Sequence, residues 1–254
     1  MCTLALFRRV SRDYPIVVAA NRDEFYVRPA APPGRLRDIE GVVAGRDLEA
    51  GGTWLGARVD GSLLVAGLLN RRTADAVPGA STGELSRGAL CLDALRARSV
   101  MGALRVLSTS PDASRYGPFN LLLADLERAV VVQNMPALRT TELAEGLSLL
   151  TNLEVNDPRC ARLASAVAPF ERVGKKLASG ASADEIVEAC ARVLASHENS
   201  LDPADASPLS RLCVHTDAYG TRSATVILGA DDGSVRYFHA AGPPCRTPFA
   251  EVGV

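Results

Sequence analysis

The second residue of the chain is a cysteine, and this position gives it two reactive groups. Removal of Met1, which is general before a small residue, would leave Cys2 with a thiol and a free α-amine. An α-amine has an ordinary pKa of about 8 and serves as a general base near neutral pH. The thiolate is a strong nucleophile. The residue type and position therefore allow an N-terminal nucleophile, but alone they do not favour it over a cysteine that packs as a small apolar side chain.

A second polar group follows an apolar run over residues 16–20. Asn21, Arg22, Asp23 and Glu24 come directly after it. An adjacent arginine and aspartate at a strand end can lower the pKa of a nearby thiol and orient an amine. A solvated turn explains the same residues without any chemistry.

Three further residues have types suited to the same reaction. Asn70 and Asn152 each follow an apolar run, where an amide donor can stabilise a developing oxyanion. Arg222 follows the turn segment Tyr219-Gly220-Thr221 and is held on a rigid base. For each asparagine taken singly, a role in a turn is the favoured interpretation.

Two other constellations have simpler explanations. Ser81 stands in a Gly-x-Ser-x-Gly sequence, but the preceding residues 73–78 are polar and contain a proline, whereas a serine nucleophile elbow needs a buried strand there. With Glu84, Ser81 instead makes a helix capping box.

Cys213 and His215 lie two apart on a predicted strand and His239 on another. They could ligate zinc or haem, but without a CxxC motif we expect core packing and no metal.

Composition excludes several classes of protein. The chain has 254 residues, 47% hydrophobic and 22% charged, with a net charge of −1, which is typical of a globular protein without a nucleic-acid footprint. No apolar run reaches the roughly 20 residues of a membrane span. Arg8 and Arg9 follow the first apolar segment, the reverse of a secretory signal. Six scattered cysteines fit a reducing compartment, so we expect a cytoplasmic protein.

Periodicity predicts strands, helices, strands, helices and strands in that order, which indicates an α+β fold. Pro29–Gly34 is predicted as loop. Helices are expected after Ser81, over residues 159–170 and after Ser182, which forms a second capping box with Glu185. The predicted strands cover residues 2–7, 16–20, 63–69, 119–124, 129–132, 147–151, 212–215, 224–228 and 235–239.

Several segments, in order along nearly the whole chain, resemble the NRDE family, also called the transport and Golgi organisation protein 2 family. They are Met1-Cys2-Thr3, residues 20–26 with Arg28-Pro29, residues 51–56, 83–85, 119–121 and 124–126, and 219–222. The resemblance implies an N-terminal nucleophile (Ntn) hydrolase fold. This is a four-layer αββα sandwich, two mostly antiparallel sheets between helical layers, here as a single domain over residues 1–254.

The wider relatives of that family are choloylglycine hydrolases and penicillin V acylases, which use an N-terminal cysteine. Carried over by motif, Cys2 is the nucleophile and Arg22 and Asp23 steady the thiolate and amine. Asn70 and Asn152 contact the oxyanion and the substrate, and Arg222 completes the wall of the active site. Asn21, Glu24, Arg71 and Trp54 are expected to contact the substrate.

The sequence departs from the acylases at two places. Arg22 and Asp23 are adjacent rather than separated by two residues, so either Asp23 or Glu24 takes the role of the acid. Arg71 and Arg72 follow Asn70 where an aromatic residue is frequent.

Two functions follow from the resemblance. The first is hydrolysis of a non-peptide amide through an acyl-cysteine, with no cofactor. The second is the transport of haem, an acyl thioester or another lipid, bound in the same pocket by its arginines. Haem is the possible cofactor under this second function. The sequence leaves the oligomeric state open.

Overall fold

In a computed structural model of the protein, the described residues are 2–72, 83–109, 115–198 and 207–254. Their contacts group into two compact units, each built on one antiparallel sheet. The first unit contains residues up to 28, 145–231 and 236–253, and the second contains residues 29–144 and 232–235. The single-domain boundary of 1–254 stays a prediction.

The first unit has a six-stranded sheet and two α-helices. Its strands are β1 (Thr3–Arg8), β2 (Ile16–Phe25), β10 (Gly146–Leu150), β11 (Tyr219–Gly229), β12 (Val235–Ala240) and β13 (Ala250–Val252), in the spatial order β10-β1-β2-β11-β12-β13. Its helices are α3 (Ala161–Ala178) and α4 (Ala183–Leu194), and a 3₁₀ helix covers Pro208–Ser210.

Strand alternation decides which face of this sheet meets the helices. Side chains of β1 and β2 point to opposite faces in turn. Ala5, Phe7, Val17 and Ala19 belong to one apolar cluster with α3 and α4, and the ring of Phe7 lies 6.2 Å from that of Phe170 on α3. Odd-numbered residues of β1 and β2 therefore face the helices, and even-numbered residues face the other side of the sheet.

The second unit has seven strands that neighbour one another in chain order. They are β3 (Ala30–Arg35), β4 (Val42–Asp47), β5 (Leu55–Arg58), β6 (Val65–Asn70), β7 (Phe119–Ala124), β8 (Ala129–Gln133) and β9 (Arg139–Glu142). Helices α1 (Arg87–Leu95) and α2 (Val100–Thr109) accompany them. Leu90, Leu95 and Val100 pack with Leu121 and Leu123 in a core of this unit.

The predicted order of elements is confirmed, and most predicted strands are present. Six strands precede α1 and α2, four follow, and three come after α3 and α4. The strand predicted over residues 16–20 continues to Phe25, so the polar residues 21–24 lie inside β2 rather than in a turn. The capping box of Ser182 and Glu185 is confirmed in both of its hydrogen bonds.

The predicted loop over Pro29–Gly34 is wrong, because Ala30–Arg35 forms strand β3. This strand lies at the edge of its sheet, and its pairing with β4 shifts between Ala31 and Gly34. Proline lacks a backbone N–H and is tolerated in strands at edges and bulges. Pro32 and Pro33 occupy that irregular stretch, which explains why the strand survives them.

Three other boundaries also differ. Helix α1 begins at Arg87 with Ser86 as its N-cap residue, and Ser81 lies outside the described residues. Helix α3 continues past residue 170 to Ala178 despite an internal Pro169, since its later apolar residues pack on the sheet. Residues 212–215 form no strand, apart from an isolated bridge between His215 and Gly220.

Within the described ranges, no helix is long and apolar enough to cross a membrane.

We expect Ser182→Ala to lower the free energy of unfolding by about 1 kcal/mol, because the Ser182 hydroxyl accepts the backbone N–H of Glu185 at the start of α4. Urea denaturation measures this. Ser179→Ala is the matched control, since the Ser179 hydroxyl donates to Lys176 at the end of α3 and caps no helix N-terminus. Equal losses in both variants would contradict the role of the cap.

Candidate active site

Strand pairing sets the surroundings of Cys2. The ladder between β1 and β2 pairs Thr3 with Asn21, and one further step puts Cys2 across from Arg22. On the other side, β1 pairs Leu4 with Leu150 at the end of β10, and Asn152 lies in the bend that follows. Cys2 therefore lies at a strand end across from an arginine. Cys2 and Arg22 are even-numbered positions, on the face of the sheet away from α3 and α4.

The Asp23 side chain lies at the same end of β2, on the opposite, helix-facing side of the sheet. Its carboxylate accepts hydrogen bonds from the Arg162 guanidinium at 2.6 Å and from the Thr221 hydroxyl at 2.7 Å. The side chain of Asp23 is fully buried, and that of Arg162 is 2% exposed. Burying two charges costs hydration energy, and the hydrogen bonds to both carboxylate oxygens of Asp23 offset part of that cost.

The backbone carbonyl of Asp23, rather than its carboxylate, contacts the candidate nucleophile. The Cys2 thiol donates to this oxygen across 3.8 Å, and the Tyr219 hydroxyl donates to it at 3.1 Å. The carboxylate thus fixes the strand, and the carbonyl holds the thiol.

Arg162 is a residue of this site that the sequence prediction missed. It donates to the Thr3 hydroxyl at 2.9 Å and to the Leu209 carbonyl at 2.8 Å, besides Asp23. The available signal was its place on α3. Arg162 lies in line with the buried Ala166 and Phe170, four and eight residues further on. A charged residue in an apolar helical stripe indicates a buried partner.

Asn21 lies on the helix-facing side of β2 and is 1% exposed. Its side-chain amide donates to the carbonyls of Leu194 and Leu212, both at 2.9 Å. These bonds tie the end of α4 and the segment after the 3₁₀ helix to the sheet. The structure places Asn21 on the opposite face from Cys2, and its predicted contact with substrate stays a prediction.

Of the two candidate acids, Asp23 is the buried one. Glu24 is half-buried, and its carboxylate accepts the adjacent backbone N–H of Phe25 at 2.9 Å.

Arg222 occupies a β-bulge, because the pairing of β11 with β2 shifts between Thr221 and Ser223. Its guanidinium donates to the carbonyls of Phe25 and Tyr26. Arg222 thereby fixes the chain that leaves β2.

Asn152 is buried in the bend that follows β10. Asn156 closes this bend, since its side chain accepts the N–H of Leu149 at 2.7 Å and its own N–H donates to the Leu149 carbonyl at 2.9 Å. Asn156 has a φ of 55°, a conformation that asparagine tolerates better than most residues. These bonds close the bend that contains Asn152.

The remaining predicted residues belong to the second unit. Asn70 ends β6, with its side chain exposed, and pairs with Phe119. The Arg71 guanidinium donates to the Asn120 side chain at 3.2 Å. Trp54 is half-buried and packs over Gly45, where a Cβ atom would overlap the indole ring. Ser81 of the Gly-x-Ser-x-Gly sequence lies outside the described residues.

Burial raises the pKa of the Cys2 thiol above its ordinary value, because the charged form loses hydration. The Asp23 carboxylate raises this pKa further, and the Arg22 guanidinium opposes the rise. The thiol is therefore protonated near neutral pH, and its attack on an electrophile needs a base.

We expect iodoacetamide to alkylate Cys2 at a rate that still rises above about pH 8.5, the ordinary thiol value, because of the raised pKa. A chain tagged ahead of Met1 keeps the α-amine off Cys2 for this measurement, and peptide mass spectrometry at each pH gives the rate. Arg22→Gln is expected to move the midpoint upward, since a compensating positive charge is lost. Arg222→Gln is the control, because that guanidinium bonds Phe25 and Tyr26. Equal shifts in both variants would show that Arg22 has no particular effect on the thiol.

We expect Arg162→Met to lower the free energy of unfolding by about 3–5 kcal/mol, because the Asp23 carboxylate is then buried without its ionic partner. Glu145→Gln is the control. It breaks an exposed ion pair with Arg9, 3.5 Å long, and is expected to cost less than about 1 kcal/mol. Urea unfolding compares the two, and similar small changes would argue against the structural importance of the buried pair.

Comparison with solved structures confirms the predicted fold class, the αββα fold of the Ntn-hydrolase type. A Caenorhabditis elegans N-acylethanolamine-hydrolyzing acid amidase ortholog matches with a TM-score of 0.54 and 13% identity, over 89% of this chain and 92% of that one. Penicillin V acylase from Agrobacterium tumefaciens matches with a TM-score of 0.47 and 18% identity, over 94% and 83%.

Sequence comparison gives the family. The model of the family described as Transport and Golgi organisation 2 matches residues 1–241. A Bos taurus Transport and Golgi organization protein 2 homolog is 33% identical over 91% of this chain and 88% of its own length. The corresponding Homo sapiens homolog is 30% identical over the same shares. The chain belongs to the Transport and Golgi organisation 2 family.

Proposed function

We propose that this protein is an N-terminal-cysteine hydrolase that cleaves a non-peptide amide bond through an acyl-Cys2 intermediate. The observation that carries the proposal is the placement of Cys2 at the start of β1. There its thiol contacts the Asp23 carbonyl at 3.8 Å, the next step of the β1–β2 ladder puts it across from Arg22, and Asn152 lies in the bend after β10, the other strand that pairs with β1. A nucleophile, a cation and an amide donor at one strand end are the groups that acyl transfer needs.

The proposed reaction begins with the removal of Met1, which frees the α-amine of Cys2. That amine takes the thiol proton as the sulfur attacks the carbonyl carbon of the substrate. The raised pKa of Cys2 makes this base necessary, since little thiolate forms without it. The protonated amine then gives its proton to the leaving amine as the C–N bond breaks. Water hydrolyses the acyl-cysteine in the second half of the reaction.

The other residues have distinct parts in this proposal. Arg22 stabilises the thiolate that forms during attack, and Asn152 donates its amide to the oxyanion. Asp23 is a positioning residue. Its carboxylate is bonded to Arg162 and Thr221, and this fixes the carbonyl that holds the thiol. Arg222 positions the end of β2 through the carbonyls of Phe25 and Tyr26.

The fold likeness supports an amide substrate over other acyl compounds. The neighbour with a TM-score of 0.54 is described as an N-acylethanolamine-hydrolyzing acid amidase ortholog. We therefore propose a small N-acyl amide as the substrate class. The carrier hypothesis has weaker support, since two arginines assigned to a bound anion have protein partners. Arg222 donates to backbone carbonyls and Arg71 to Asn120.

We expect the protein from its native host to lack Met1, and a panel of N-acyl amides with a fluorogenic amine to identify substrates. Intact mass spectrometry measures both the loss of methionine and the acyl adduct on Cys2. Cys2→Ala is expected to reduce turnover by about a thousandfold or more with the circular dichroism spectrum unchanged.

Cys190→Ala is the matched control, because Cys190 is buried in α4 on the helix side of the sheet, and it is expected to retain turnover. Retention of Met1 in the native protein would overturn the mechanism. A shifted haem absorption band that is lost in Cys2→Ala, without amide turnover, would favour the carrier instead.

A further inference from the structure

Four metal-binding side chains of the first unit converge at one place away from Cys2. His197, Cys213, His215 and Cys245 each offer one nitrogen or sulfur atom, and these atoms all lie within 4.8 Å of one another. Two thiols and two imidazoles are the ligand set of a common class of structural zinc site. From the sequence, Cys213, His215 and His239 are possible ligands, but core packing and no metal are the expectation. His239 does not join the cluster, because its Nδ1 atom contacts the Thr225 hydroxyl at 3.0 Å.

The spacings within the cluster match the edges of a coordination tetrahedron. With Zn–S bonds of about 2.3 Å and Zn–N bonds of about 2.0–2.1 Å, a tetrahedral ion separates two sulfurs by about 3.8 Å and a sulfur from a nitrogen by about 3.6 Å. The Sγ atoms of Cys213 and Cys245 are 3.6 Å apart. The Nε2 atom of His215 is 3.5 Å from Cys213 Sγ and 3.2 Å from Cys245 Sγ. Three donors thus form one triangular face of nearly the required size.

His197 supplies the fourth corner. Its ring lies 5.2 Å from the ring of His215, at an angle of 72°, and its donor atom falls within the 4.8 Å limit from the other three. His197 is exposed, His215 and Cys245 are partly buried, and Cys213 is buried. This gradient gives an ion a path from solvent to the site.

Backbone hydrogen bonds already hold the three segments that carry these ligands. The N–H of Cys213 donates to the Ser196 carbonyl, next to His197. Two N–H groups of the turn after β12, those of Arg246 and Thr247, donate to the Pro243 carbonyl and so fix Cys245 between them. The donors are therefore brought together by the fold, and little rearrangement is needed to bind a metal.

We propose that His197, Cys213, His215 and Cys245 bind a zinc ion. A set of two sulfurs and two nitrogens in tetrahedral arrangement selects zinc among the common biological metals. On binding, Cys213 and Cys245 each lose a proton to solvent, and the two thiolates balance the charge of Zn²⁺. Four protein ligands leave no open coordination position, so the ion has a structural and not a catalytic role.

The site would also stabilise the scaffold of the candidate active site. Between the ligands Cys213 and His215, Val214 exchanges hydrogen bonds with Thr221, whose hydroxyl binds the Asp23 carboxylate. The preceding Leu212 carbonyl accepts the amide of Asn21. An ion that fixes residues 213–215 therefore restrains two contacts that hold β2.

The test is metal analysis of the full chain purified without chelator, followed by Co²⁺ titration of chelator-treated, thiol-reduced protein. We expect one zinc ion per chain and, with Co²⁺, the intense visible bands of tetrahedral thiolate coordination. Zn²⁺ is expected to displace Co²⁺ and to raise the Tm of the treated protein. These measurements use the wild-type chain, so they do not depend on a variant that folds.

Variants then assign the ligands. Cys245→Ala is expected to weaken zinc binding by more than about a hundredfold, and Cys245→His to restore much of it by returning a donor atom. Cys190→Ala and His239→Gln are the controls and are expected to bind zinc like the wild type. Similar loss in Cys190→Ala would overturn the assignment of ligands.

Two other outcomes would overturn the proposal. Protein that holds no zinc and gives no cobalt bands after reduction would show that the cluster is only packed thiols and imidazoles. A disulfide between Cys213 and Cys245 in the freshly purified protein, seen by peptide mapping without reductant, together with no metal binding after reduction, would show a redox pair instead.

Discussion

The buried ion pair between Asp23 and Arg162 is the contact on which the candidate active site depends. Arg162 reaches from the first turn of α3 to β1, through Thr3, and to β2, through Asp23. The same carboxylate binds Thr221 on β11. Four elements separated widely in sequence are thus joined at one point. The two charges attract each other strongly because both are removed from water, and the hydrogen bonds of each offset the cost of that removal.

The ion pair also explains how the Asp23 carboxylate can position the Cys2 thiol without a direct contact between them. Asp23 points to the helix side of the sheet, and Cys2 lies on the other side. What reaches Cys2 is the Asp23 backbone carbonyl, which also accepts the Tyr219 hydroxyl. Gly220 permits this arrangement, because a Cβ atom there would overlap the Tyr26 hydroxyl and the Val214 carbonyl. In the segment Tyr219-Gly220-Thr221, the Tyr219 hydroxyl binds the Asp23 carbonyl and the Thr221 hydroxyl binds the Asp23 carboxylate. Gly220 between them leaves room for Tyr26 and the Val214 carbonyl.

The residues that the sequence could identify are those with a local signal. Cys2 is identified by its position after Met1, the strands by alternating apolar and polar residues, and the start of α4 by the capping box of Ser182 and Glu185. Arg162 has a local signal for its burial, from its place in the apolar stripe of α3, but nothing local identifies its partner Asp23, 139 residues away. His197 lacks even that signal, and its partner Cys213 lies 16 residues away in a segment wrongly predicted as strand. The edge position of β3 was equally hidden, because two prolines argue for a loop until the neighbouring strand is known. In each case the missing information is which distant segment lies alongside.

The zinc ligands and the active-site scaffold share one short segment, and this relation has a physical consequence. Residues 212–215 form no strand, so their backbone groups, apart from the isolated bridge of His215 with Gly220, are not held by a sheet ladder. Their stability comes instead from bonds to Ser196, Thr221 and Asn21. A chain segment with so few regular hydrogen bonds opens locally more easily than a strand does. A metal ion that binds Cys213 and His215 would oppose that opening without adding a residue to the core, and it would do so next to the hydroxyl that holds Asp23.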